Sequence, residues 1–170
     1  MNTQTKVFIA IAVFSILLIG GSVVLLSNSS NGKAQVEKVM GVKMEITEEK
    51  FDWGEIDYGG GLTIHSFKIK NSGEKDLEIA NLATSCMCTQ VYFKGPTGTS
   101  SKMGMKGMSR PSSYKGILKP GETGEIVAEF DPAYHGPTGV GKMERVVSFE
   151  TNDPDKPYVE LLLYGNVVKK

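Results

Sequence analysis

Much of the side-chain chemistry on which enzymes rely is missing from this chain. Its 170 residues hold two cysteines, two histidines and one tryptophan. Two histidines leave almost no material for a catalytic triad, and there is no nucleophile elbow, phosphate loop, H-E-x-x-H or spaced carboxylate pair. The formal net charge is zero, so nothing in the balance calls for a nucleic-acid partner. Beyond the N-terminal run no stretch carries a long helical period. One further absence is local. No Asp or Glu occurs between Glu78 and Glu122, a window that holds Lys94, Lys102, Lys106, Arg110, Lys115 and Lys119.

What is present begins with an apolar run. Residues 7–26 read VFIAIAVFSILLIGGSVVLL, twenty residues without a charge. As a helix such a run is long enough for about 30 Å of hydrocarbon. It exceeds the h-region of a signal peptide, and no A-x-A pattern follows it. Lys6 just before it favours an N-terminus on the inner side. The expectation is a single-pass anchor in a bacterial cytoplasmic membrane, with residues 1–6 cytoplasmic and the remainder outside. Residues 27–41, rich in Ser, Asn and Gly at their start, read as a flexible linker.

From Val42 to the end, short alternating apolar runs are punctuated by Gly, Pro, Asn and Asp clusters, which is strand-and-turn patterning. Eight strands are expected, near 42–46, 51–56, 62–70, 77–84, 88–93, 125–130, 143–151 and 158–168. The fold class is all-β, a sandwich with Greek-key connections. Its expected core is Trp53, Phe67, Ile69, Leu77, Ile79, Phe130, Val147, Phe149, Leu161 and Leu163. A long Met/Gly/Ser/Lys loop is expected over 94–116. His65 shares a strand face with Phe67 and Ile69 and reads as a packed residue. Asp131, Asp153 and Asp155 read as turn formers.

Several stretches, in order, resemble one family. They are Phe51-Asp52-Trp53-Gly54-Glu55-Ile56, Phe67 to Gly73, Leu77-Glu78-Ile79, Ser85-Cys86-Met87-Cys88-Thr89, Leu118 to Glu122, Phe130-Asp131-Pro132, Thr151-Asn152-Asp153 and Leu163 to Val167. The chain resembles the DUF1573 family of bacterial envelope proteins over roughly residues 43–168. The resemblance implies an immunoglobulin-like sandwich of seven to eight strands, related to ASH/MSP-type domains, and no assigned activity. The family usually reads S-C-G-C-T, so Met87 is a departure. The stretch from Asp131 to Pro137 resembles a subgroup with a longer loop over 94–116.

The sulfur-bearing residues are the one chemical constellation. In an extended strand Cys86 and Cys88 would point the same way with Cα atoms roughly 6.5–7 Å apart. That spacing is at the edge for a disulfide and comfortable for two thiolates on Cu(I). Met103, Met105 and Met108 could add thioethers and His135 an imidazole. Equally, methionines fill gaps, and the cysteines could be core residues or a disulfide. Thiol redox work lacks the usual C-x-x-C at a helix start. The basic loop residues Lys102, Lys106, Arg110 and Lys115 offer a contact surface for an envelope protein, an anionic polymer or lipid headgroups. The expected function is a membrane-anchored, non-catalytic binding or scaffold module acting through loops or a sheet edge. The alternative is an envelope Cu(I)-handling protein using Cys86, Cys88 and the loop methionines.

Overall fold

The computed structural model describes Asn2, residues 4, 5 and 9, residues 11–17 and residues 32–170. The chain divides into two units, Met1–Gly32 and Lys33–Lys170. In the first, the described residues 4, 5, 9 and 11–17 are helical. Among the described residues no helix is long and apolar enough to cross a membrane. The expected anchor over 7–26, and with it the placement on the outer side of a cytoplasmic membrane, is corrected on that ground. Lack of charge over twenty residues permits a spanning helix but does not make one. Residues 7–8, 10 and 18–26 of the run lie outside the described residues.

The second unit is built of ten strands: β1 (Met44–Ile46), β2 (Lys50–Asp57), β3 (Thr63–Asn71), β4 (Leu77–Thr84), β5 (Thr89–Gly95), β6 (Gly98–Thr99), β7 (Lys115–Leu118), β8 (Thr123–Phe130), β9 (Gly141–Thr151) and β10 (Tyr158–Val168). They form two five-stranded sheets, ordered β1-β3-β8-β5-β6 and β2-β10-β9-β4-β7. The result is a two-sheet sandwich, as the alternating runs imply, and immunoglobulin-like, as the resemblance implies, with ten strands rather than seven to eight. The two additional strands, β6 and β7, are short and lie in or beside the segment expected as a loop. β1 and β2 are nearly continuous in sequence yet sit in different sheets. β1 pairs antiparallel with β3, and β2 pairs parallel with β10.

Alternation decides which face is buried. In β3, Phe67, Ile69 and Asn71 point in while Lys68 and Lys70 point out. Phe67, Ile69, Leu77, Ile79, Phe93, Val147, Phe149, Leu161 and Leu163 belong to the main core cluster, with Trp53 packed half-buried against it. His65 is packed, stacked on Phe51 at 3.5 Å between ring centroids and 2.9 Å from Glu48. The polar turn residues are pegs. Buried Asn152 accepts from Glu78 N and donates to Asp76 O. Buried Asp153 accepts from Met44 N at 2.7 Å.

Within the segment expected as linker, the part from Lys33 on lies against the sandwich. Ala34 N donates to Ser112 O, Asn81 Nδ2 donates to Ala34 O, and Val39 N donates to Asn152 O. Asn81 reaches out because β4 bulges between Ala80 and Ala83. Its φ of +54° is a left-handed conformation that Asn tolerates better than most residues.

Candidate functional site

Three connections cross between the sheets at one end of the sandwich: 58–62 from β2 to β3, 85–88 from β4 to β5, and 131–140 from β8 to β9. Beneath them lies a second core cluster of Ile56, Cys88, Phe130, Met143 and Val167, flanked by Trp53, Tyr58 and Cys86. Each connection delivers something distinctive to this end.

The 85–88 turn carries both cysteines, and its backbone is held from several sides. Ser85 N donates to Val146 O, Thr89 N to Cys86 O, and Asp131 N to Cys88 O. Thr84 Oγ1 donates to Cys86 O. The cysteines are therefore in a turn, not the extended strand expected from C-x-C, and their Cα atoms are 5.3 Å apart. That is well within disulfide reach, and the pair is disulfide-bonded. Cys88 is buried at 2% exposure, whereas Cys86 is half-buried.

The 131–140 connection brings His135, on the surface, to within 3.2 Å of Cys86 Sγ through Nε2. Asp131 Oδ1 accepts from Ala133 N, the expected turn-forming role. The ligand atoms of Cys86, Cys88 and His135 lie within 4.8 Å of one another. β9 adds Arg145, whose Nε donates to Cys88 Sγ at 3.0 Å and whose Nη1 donates to Glu144 O. The guanidinium covers the face of Phe130, 5.7 Å from its centroid, and Phe130 in turn stacks with Trp53. Burial pushes the Arg145 pKa down. Among the described residues no carboxylate pairs with it.

Of the residues singled out in the sequence, the structure thus brings together Cys86, Cys88 and His135. The three methionines lie on the segment between β6 and β7. Met103 packs against the main core cluster, on a segment whose backbone bonds to Val91. Met105 lies on a segment bonded to Thr84, and Met108 is exposed. A metal ion at the remaining three ligands would need the disulfide reduced, since a disulfide offers no thiolate. The basic residues are mostly engaged. Lys102 pairs with Glu129, Lys115 with Glu78 and Lys94 with Glu125, while Lys106 lies over the Tyr158 ring. Arg110 is exposed. Arg145 was not a sequence candidate, but a signal for it existed. It occupies the same alternating row as Met143, Val147 and Phe149 in β9, and a cation on an inward row requires a reason.

Beside the disulfide is a cleft of about 210 Å³ lined by Leu62, Met87, Cys88, Gln90, Glu129, Asp131 and Tyr134. Ile64 adjoins it, because Ile64, Glu129 and Gln90 are register partners on the outer face of their sheet.

Residues 44–108 match DUF1573. That family is described as protein of unknown function. None of the curated proteins matches the chain. Among solved structures, a protein of unknown function from Porphyromonas gingivalis W83 is similar at 17% identity and a TM-score of 0.53. The match covers 81% of this chain and 49% of that one, so the present chain spans about half the length of that relative. PapD-like domain 7 of human CEP192, an ASH/PapD-like domain, gives 17% identity and a TM-score of 0.48 over 84% of this chain and 96% of the domain. At 17% identity the likeness of this chain to the Porphyromonas gingivalis protein is one of fold alone.

Proposed function

We propose that this chain is a non-catalytic binding module that takes an extended, apolar segment of a partner protein at the cysteine end of the sandwich. The observation that carries the reading is the cleft beside Cys88. Leu62, Met87 and Tyr134 line it and Ile64 adjoins it, and all four are exposed large apolar or aromatic side chains. Isolated surface hydrophobics need no explanation, but a group sharing one concavity does. Size argues for the kind of occupant. Sites for small organic ligands run to about 300–1,000 Å³, whereas this cleft of about 210 Å³ suits one or two side chains of a peptide. Its walls come from three connections, which fits recognition by end loops. The lysines of the 94–116 segment, largely held by acids of neighbouring strands, contribute less to such a surface than their sequence clustering implies.

The test is a titration of the isotope-labelled protein with an N-acetylated, C-amidated peptide of alternating leucine and lysine, followed by NMR. Shift changes are expected at Leu62, Ile64, Met87 and Tyr134, and Leu62→Asp weakens the response at least fivefold. Absence of localised shifts at millimolar peptide would overturn the reading.

A further inference from the structure

Arg145 is a partly desolvated cation whose chemistry is incomplete. Its polar contacts are a backbone carbonyl and the sulfur of Cys88, and its flat face lies on Phe130. A cation withdrawn from water ordinarily requires a counter-charge. A disulfide sulfur is neutral and a poor acceptor. A thiolate at the same position would be the missing partner. The bond itself closes a ring between residues two apart in sequence. Such a ring restrains the unfolded chain far less than one spanning tens of residues, so stapling the fold explains it poorly. The two sulfurs also differ in access. Cys86 is half-buried beside exposed His135, whereas Cys88 is enclosed beneath Arg145.

We propose that Cys86–Cys88 is a redox-active disulfide that exchanges with the dithiol of a protein docked in the adjoining cleft. The docking element rests on the binding site of the preceding section; the redox assignment does not. A thiolate of the partner attacks Cys86 Sγ and forms a mixed disulfide. The Cys86–Cys88 bond breaks, and its electron pair goes to Cys88 Sγ as a thiolate facing Arg145 Nε–H. The partner's second thiolate then attacks the partner's sulfur in the mixed disulfide and releases Cys86 as a thiolate, 3.2 Å from His135 Nε2. Two electrons pass from the partner to this chain, and the partner dithiol becomes a disulfide. Because Arg145 favours the reduced form, the couple is more oxidising than the same turn without it.

The experiment equilibrates the full chain with reduced and oxidised glutathione and reads the fraction of disulfide after alkylation. Arg145→Met is expected to make the pair at least tenfold harder to reduce, equivalent to about 30 mV, and Arg145→Lys to recover most of that change. A second measurement uses the wild-type protein only. Acid quenching during reduction is expected to place the glutathione adduct on Cys86. Wild type and both variants agreeing within twofold, or an adduct on Cys88, would overturn the proposal. Glutathione equilibration does not depend on the cleft and the peptide titration does not depend on redox state, so failure of either is separately readable.

Discussion

Single residues set the chemistry of this protein, and their legibility in the sequence differs sharply. The cysteine pair stands out by type and spacing alone. That it lies in a turn with Cα atoms 5.3 Å apart is decided by Thr84, Val146 and Asp131, which bond the turn backbone from positions two to sixty residues away. His135 was legible only as a member of a short list, because nothing local connects it to Cys86. Arg145 was marked by its inward position in β9, a signal that becomes readable once strand alternation is applied to charges as well as to apolar residues. Asn152 teaches the same lesson for stability. In the sequence it is a turn residue, yet it is 3% exposed and its amide satisfies Glu78 N and Asp76 O. Asn152→Ala leaves a part-buried donor and acceptor without their side-chain partner, and its expected cost is about 1–3 kcal/mol, measured by urea unfolding.

At the scale of elements, eight of the strands follow from alternation and turn chemistry, whereas β6 and β7 do not. β6 has two residues, too few to show a period. β7 reads Lys-Gly-Ile-Leu, and a glycine in so short a run argues against a strand. The structure gives Gly116 its reason: a Cβ there would lie 2.4 Å from the Phe93 ring. Gly95 and Gly124 also border that ring, at 2.6 and 2.7 Å, so a fully buried phenylalanine is cradled by three glycines. Glycine in a strand then marks close approach, not weakness. Gly116→Ala is expected to cost about 1–3 kcal/mol through overpacking, read from the urea midpoint at unchanged m-value. The acid-free window is another case in which linear reading misleads. Glu78, Glu125 and Glu129 are outside or at the edge of it in sequence but face its lysines in space.

The whole molecule is held by its two-sheet core, not by its disulfide. The Cys86–Cys88 ring closes three residues, for which the chain-entropy estimate is about 1.5 kcal/mol. Reduction is therefore expected to lower unfolding free energy by no more than about 2 kcal/mol and to leave the fold intact, as urea titration with and without dithiothreitol would show; a much larger loss would make the bond a structural staple. The fold class was legible in the sequence because sandwich alternation is repeated in every long strand. The span expected over residues 7–26 finds no support among the described residues, because charge-free length is only one of the conditions a spanning helix must meet. The division of one near-continuous segment between β1 and β2 has a mechanical consequence. β2 enters the second sheet parallel to β10 through six register pairs, with the chain arriving at the start of one strand and leaving at the end of the other. Tension between Lys33 and Lys170 would first reach β1 and its three pairs with β3 and, once these part, would pull β2 and β10 in opposite directions along their length. All six pairs would share the load at once, instead of parting one after another like a zip, and the domain would resist stretching along that axis more than its modest size suggests.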